Sequence, residues 1–341
     1  MKPTDFSKYV TDFFLKYLSH ERGASNNTIS SYRDTFILLF QFMEEKKHLK
    51  LKKLTLTNIT RQVIIEFLDW LQESRKNCSS TRNQRLAVIR SFFCYIQYDN
   101  PEHISQCHEI MSIKLKNTPL KIINYLSVEG LKLLLEQPDT TTRKGRRDLA
   151  LLSLMYDTGA RVQEIIDLTV NSCRLNKPYT VKIAGKGNKT RIVPLMEAQV
   201  NILKGYIAEN KLSEPFAGEY PLFFNSQKKK FTRAGVTTIL LKYVEMARYV
   251  NPELIPQKLS CHSLRHSKAM HLLQAGVNLV YIRDILGHVS VQTTEIYAKA
   301  DAKLKREALE KAYVEVQPVN IPAAIWMEDQ DLKEWLTNLG N

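Results

Sequence analysis

"YTVKIAGKGNKTRIVPL", residues 179–195, is the one stretch of this chain with a clear β pattern. Alternating residues flank the turn signal "GKGN", and Pro194 ends the second arm, which predicts an antiparallel hairpin. Outward from it the pattern is helical. Upstream, "RRDLALLSLMYDTGARVQEIIDL" (146–168) holds two helices with a turn at Thr158-Gly159, and "SVEGLKLLLEQ" (127–137) starts a helix capped by Ser127. Downstream, helices dominate. The expected fold class is mainly α with a small antiparallel β-hairpin or sheet.

The N-terminal third is all helix. Tyr9, Phe13 and Tyr17 repeat at helical spacing, and "GASNNT" breaks that helix before "TISSYRDTFILLFQFMEEK" (28–46). A third helix (60–74) has Val63, Phe67, Leu68 and Leu71 on one face. A fourth (79–98) turns Leu86, Ile89, Phe93 and Ile96 inward and leaves Arg82, Asn83, Arg85 and Arg90 largely off that face. From His108 to Leu126 the pattern weakens and reads as a linker.

The 341 residues suffice for two domains, and 44% hydrophobic residues can bury a sizeable core. The apolar runs are too short to span a bilayer, and the polar start "MKPTDFSKYV" lacks a signal-peptide stretch, so a cytoplasmic protein without membrane contact is expected. Five scattered cysteines with no C-x-x-C pair indicate neither a disulfide framework nor a zinc ribbon. The net charge is +14; residues 1–120 carry 18 basic and 12 acidic side chains, so +6 lies there and +8 in the remainder. Both halves are basic, which fits a grip on a polyanion such as nucleic acid.

Four places hold candidate chemistry. Arg161 and Glu164 lie three apart after the glycine turn. They form either a surface ion pair, worth roughly a few tenths of a kcal/mol, or a phosphate cradle at a helix N-terminus. Lys186 sits between Gly185 and Gly187, either as a solvated hairpin tip or as a lysine reaching into DNA to protonate a leaving oxygen. The P-loop spacing is absent. In "CHSLRHS" (261–267), His262 and Arg265 share a helix face and suit the oxygens of a phosphate. His262 and His266, four apart, raise a zinc reading, which the missing H-E-x-x-H glutamate and the charge of Arg265 oppose, so no metal is expected. In "LGHVSVQTTEIYAKA" (286–300), Gly287 ends a helix, His288 follows and Ser290 caps the next helix. Tyr297 is there either a packing residue or a nucleophile.

Taken in order, Arg161, Lys186, His262, Arg265, His288 and Tyr297, within "TGARVQE", "GKGNKTRIVPL", "HSLRH", "LGH" and "TTEIY", resemble the tyrosine recombinase (phage integrase) family. "SNNTISSYRDTF" and "TRNQRLAVIRSFF" extend the resemblance to the N-terminal helices. It implies a core-binding domain over 1–107, a linker over 108–126, a catalytic domain over 127–315 and a tail over 316–341, with no separate arm-binding domain. It also implies roles. Arg161, Arg265 and His288 would hold the scissile phosphate, and His262 would transfer a proton around the nucleophile or phosphate. Tyr297 would attack to form a 3′-phosphotyrosine, helped by local positive charge. Lys186 would protonate the departing 5′ oxygen, and Glu164 would orient its neighbours. Energy is conserved in the covalent bond, so no cofactor, ATP or metal is implied.

Expected DNA contacts are Thr28, Ser31, Arg33, Arg82, Asn83, Arg85 and Arg90 in the first domain, and Lys189, Arg191, Lys230 and Arg233 in the second. The implied partners are double-stranded DNA with inverted half-sites, three further copies in a homotetramer on two duplexes, and accessory DNA-bending or directionality proteins. In the tail, Leu332, Trp335, Leu336 and Leu339 form a narrow apolar stripe on one helix, which would dock on a neighbouring subunit or at home. The expected function is a site-specific recombinase of a mobile element in a bacterial cytoplasm, an integrase or transposase. A Xer-type dimer resolvase, a type IB topoisomerase-like enzyme and a non-enzymatic DNA-binding regulator are the alternatives.

Overall fold

A computed structural model describes residues 4–118, 123–185, 189–288 and 290–300, with Glu334 and Asn338. The tip of the hairpin with Lys186, and the tail stripe of Leu332, Trp335, Leu336 and Leu339, lie outside the described residues. The chain divides into two compact units, Met1–Lys121 and Ile122–Asn341. Among the described residues, no helix is long and apolar enough to cross a membrane.

The first unit is helical: α1 Asp5–Asp12, which runs on as a π-helical segment Phe13–Glu21, then α2 Asn26–Lys47, α3 Arg61–Glu73, α4 Ser79–Asp99 and α5 Ile104–Met111. Thr4, Ser25 and Thr60 cap α1, α2 and α3 by accepting a backbone N–H through their hydroxyls. The core is aromatic. Phe92 meets Phe13 and Phe36 edge-on at 5.2 and 5.0 Å between ring centres, a preferred arrangement for aromatic pairs. Leu86, Ile89, Phe93 and Ile96 of α4 are all buried, as their spacing predicts. On α3, Ile64 and Trp70 join Phe67, Leu68 and Leu71 inside, while Val63 is only partly buried.

Two expectations change here. The stretch from His108 is not yet linker: α5 runs to Met111, and Cys107, Ile110 and Ile113 are buried in the first unit. Asn83 then clamps the backbone of Lys116 from both sides, donating to its carbonyl at 2.7 Å and accepting its N–H at 3.0 Å. An eight-residue helix with two buried positions carries too little periodicity to be read. Second, the α4 arginines do not project. Arg82 is 4% exposed; Arg85 donates to Ser31 O at 3.0 Å and Thr35 Oγ1 at 2.9 Å; Arg90 donates to Ile113 O. The heads of Arg85 and Arg90 thus reach backbone carbonyls within the same unit, and that of Arg82 reaches the side-chain oxygen of Asn83 at 3.4 Å.

The second unit contains α6 Val128–Glu136, α7 Arg143–Thr158, α8 Val162–Ile166, β1 Cys173–Arg174, β2 Thr180–Ala184, β3 Thr190–Pro194, α9 Glu197–Glu209, α10 Arg233–Val250, α11 Cys261–Gln274, α12 Leu279–Leu286 and α13 Gln292–Ala300. The predicted hairpin is β2–β3, and a short β1 extends it to an antiparallel sheet in the order β1-β2-β3. Val181 pairs with Val193 and Ile183 with Arg191. Val181, Ile183 and Val193 are buried, while Lys182 and Ile192 face solvent, the alternation of a half-buried sheet. α7, buried through Leu151, Leu152, Leu154 and Met155, forms the main core with α9 and α10. A smaller cluster joins Ala269, Met270, Leu273, Ile282 and Leu286 to the ring of Tyr297.

Candidate active site

The site grows from the end of α7. Gly159 terminates that helix in the left-handed region at φ 57°, and a Cβ there would lie 2.6 Å from Leu286 Cδ2. Its carbonyl faces the buried guanidinium of Arg265, which donates to Gly159 O and to Leu286 O, each at 2.7 Å. Arg265 is 4% exposed. Burial first, then the nearby Arg161, pushes its pKa down to about 10, so it stays charged at neutral pH. Two carbonyls therefore aim a fixed cation from α11 across the end of α7. Gly159→Ala should lower unfolding stability by roughly 1–3 kcal/mol, through left-handed strain and the steric overlap, and should loosen Arg265. A urea titration read by circular dichroism checks this; an unchanged midpoint would contradict it.

Arg161 caps α8, and its own N–H is taken by Glu164 Oε2 at 2.9 Å. Glu164 Oε1 accepts from Arg161 Nη1 at 2.8 Å, and Oε2 from Arg191 Nη2 at 2.7 Å. Arg191 also donates Nε to Ile285 O at 2.8 Å. Burial pushes the Glu164 carboxyl up, but the hydrogen bonds from Arg191 and Arg161 outweigh it and hold the group below the usual carboxylate range. The pair is thus a buried carboxylate between two arginines rather than an exposed i,i+3 ion pair. Arg191, expected at a DNA phosphate, points inward with its side chain 11% exposed. Its strand position, opposite buried Ile183 and two before buried Val193, puts it on the inner face.

Two histidines, His266 and His288, flank Tyr297, and a third, His262, lies beside His266. His288 follows the left-handed Gly287 (φ 66°), and its Nδ1 bonds to the hydroxyl of buried Thr294 at 2.9 Å. Burial, then Arg265, Arg161 and Arg191, pushes the His288 pKa down to about 4. Its ring lies parallel to that of Tyr297, 9° apart with centres at 6.4 Å. Tyr297 is 1% exposed, and its hydroxyl bonds to Nδ1 of His266 at 3.0 Å. In the sequence, His266 carries no signal beyond its metal-like spacing from His262. His262 sits one turn earlier on the exposed side of α11, with its ring 6.3 Å from that of His266. Partial burial, then Arg265 and Arg161, lowers the His262 pKa.

The expectation that positive charge would ease ionisation of Tyr297 is only half right. Arg265 and Arg161 do lower its pKa, but burial raises it more, and the phenol lies above its ordinary value. Of the remaining expected contacts, Arg33 and Lys189 are exposed; Thr28 and Ser31 are half-buried on the first turns of α2. Lys230 pairs with Asp167, and Arg233 donates to Gln163 Oε1 at 2.7 Å. The structure therefore brings Arg161, Glu164, His262, Arg265, His288 and Tyr297 into one cluster, with Arg191 and His266 added. Such a cluster concentrates fixed cations and imidazoles around one phenol, which suits an anionic ester.

Comparison with known proteins agrees with this chemistry. Residues 124–303 match the model of the phage integrase family, and residues 11–97 match the phage integrase N-terminal SAM-like domain. The putative integrase/recombinase y4rC of Sinorhizobium fredii is 34% identical over 339 residues, 99% of each chain. The tyrosine recombinase XerC of Herpetosiphon aurantiacus is 35% identical over 287 residues, 83% of this chain and 88% of that protein. Among solved structures, XerH bound to palindromic difH substrate, a post-cleavage complex, aligns with a TM-score of 0.66 and 26% identity over 86% of this chain and 82% of that one. The Tn1549 transposon integrase in complex with transposon right end DNA shares the fold at a TM-score of 0.69 and 17% identity, over 89% of this chain and 98% of that one. The chain belongs to the phage integrase family: it is a site-specific tyrosine recombinase, an enzyme that cuts and rejoins DNA.

Proposed function

We propose that this recombinase serves a mobile element, and that Tyr297 is its nucleophile. The phenol oxygen attacks the scissile phosphorus and becomes a 3′-phosphotyrosine, and the 5′ oxygen leaves with a proton from Lys186. Arg161, Arg265 and His288 hold the non-bridging oxygens, and Glu164 fixes Arg161 and Arg191. The observation that carries this reading is the convergence of Arg265, His288 and Tyr297 from three elements, with the Arg265 head set by Gly159 O and Leu286 O. Arg33, Lys189, Lys230 and Arg233 are the cations placed to meet DNA phosphates, with Thr28 and Ser31 nearer the bases. Arg82, Arg85, Arg90 and Arg191 support the protein interior. Double-stranded DNA with inverted half-sites, a homotetramer on two duplexes joined through the tail, and accessory bending proteins complete the assembly in a bacterial cytoplasm.

The test begins with selection of bound duplexes from random DNA. The recovered site, nicked near its centre, should trap the enzyme covalently, and mass spectrometry should place the phosphotyrosine at residue 297. Recovery of inverted half-sites supports paired subunits; single unpaired motifs would refute that part.

A second reading, resolution of chromosome or plasmid dimers, is favoured by the XerC and XerD proteins among the relatives. A dimer resolvase recombines two identical sites, whereas a mobile-element enzyme also joins its site to a different one. Exchange confined to identical copies of the selected site would favour the second reading.

A further inference from the structure

Among the described residues, the hydrogen bond of the Tyr297 hydroxyl goes to His266 Nδ1, not to His262. Tyr297 is 1% exposed, so the partner its hydroxyl finds in the free protein is this imidazole. His262, on the exposed side of α11, stands a ring away. We propose that His266 takes the proton of Tyr297 as the phenol attacks, which leaves His262 to the phosphate side. The inference rests on Tyr297 being the nucleophile. Tyr297 Oη forms its bond to phosphorus while its hydrogen passes to His266 Nδ1, giving an imidazolium. The bond from phosphorus to the 5′ oxygen breaks, and that oxygen takes the Lys186 proton. Rejoining runs the same transfers backward.

The surroundings make the transfer conditional on substrate. His266 is faced by His262 and Arg265 from its own helix, by Tyr297 from α13 and by His288 from the turn before α13. Burial, then His262 and Arg265, pushes its pKa down to about 4, so in the free protein it is neutral, and the tautomer with its hydrogen on Nε2 accepts the phenolic hydrogen at Nδ1. Burial is the larger cause and stays; a phosphate seated against Arg265 offsets the charge of that guanidinium, which favours the imidazolium when the target is in place. The same burial that holds the phenol up creates the need for an adjacent base.

The experiment measures single-turnover cleavage of the nicked selected site by His266→Ala and His266→Gln proteins. Each is made with ordinary tyrosine at 297 and with 3,5-difluorotyrosine, whose phenol ionises more readily. Both substitutions should slow cleavage by on the order of 100-fold or more, although the glutamine still accepts a hydrogen bond. The fluorinated phenol should restore most of the loss, and should not restore a His262→Ala protein. Full-rate cleavage by His266→Gln would show a positioning contact only, and an undiminished defect with difluorotyrosine would remove the proton-transfer role. DNA binding by each variant reports folding, and if the alanine protein fails to fold, the glutamine pair decides. Failure of the nucleophile reading is separable, because the wild-type adduct would then map to another tyrosine.

Discussion

Tyr297→Phe protein should bind its DNA site with unchanged affinity and form no covalent adduct on the nicked duplex. The substitution removes one oxygen from a ring whose body packs on Ala269, Met270, Leu273, Ile282 and Leu286, so the cluster keeps its volume. What is lost is the 3.0 Å hydrogen bond to His266, a neutral contact worth about 0.5–1.5 kcal/mol. The cations that would hold the phosphate do not depend on it: Arg265 rests on two backbone carbonyls and Arg161 on Glu164. A gel shift with labelled duplex and a denaturing gel of the same reaction give both quantities. A normal adduct from the variant would move the role to another tyrosine. Tyr281, 66% exposed on α12, is the nearest described alternative, and Tyr313 lies outside the described residues.

What was legible in the sequence, and what was not, follows from how far each signal is local. The hairpin was readable because β2 and β3 alternate around a glycine turn, and each helix of the first unit with several inward residues announced itself. α5 did not, since two buried positions in eight residues make no period. Arg191 was legible in principle: it shares strand parity with Val193, and parity fixes the face. Reading it as a surface cation gave charge precedence over position. The inward partners of the α4 arginines are illegible for a different reason. Being off the apolar face says nothing about which acceptors a long side chain will find, and Ser31, Thr35 and Ile113 are remote in sequence. His266 was hidden by its own motif. Four residues from His262, it raises in the sequence only a metal reading that the motif itself opposes, and its partner Tyr297 lies 31 residues away on another helix. The burial of Tyr297 is likewise tertiary, set by α11 and α12 together, and it reverses the sign expected for the phenol from charge alone.

Glu164→Ala should be the most destabilising single change in the site, at about 3–5 kcal/mol, the usual cost of breaking a buried pair from one side. The carboxylate accepts from both arginines, and Arg191 has little water to turn to: its side chain is 11% exposed, and its remaining partner is the Ile285 carbonyl. Arg161 is freer, so its loss is chiefly one of aim. Glu164→Gln separates shape from charge, because the amide keeps the volume and an acceptor oxygen but cannot neutralise two guanidinium groups. The pH dependence has a definite sign. The folded carboxyl titrates below its unfolded value, so its stabilisation is fully present above an unfolded pKa of about 4.3 and fades as pH falls through the folded value. The gap between wild type and Glu164→Gln should therefore be widest at neutral pH and close in acid. Urea unfolding at pH 7, 5, 4 and 3, taken as steps of about one unit around that pKa, measures it. Cleavage should fall further than DNA affinity, since in the proposed role of Arg161 a misaimed guanidinium weakens phosphate stabilisation in the transition state more than it weakens one ground-state contact among many. Equal stability of the two proteins at pH 7 would show that the arginines find other partners and that Glu164 does not organise the site.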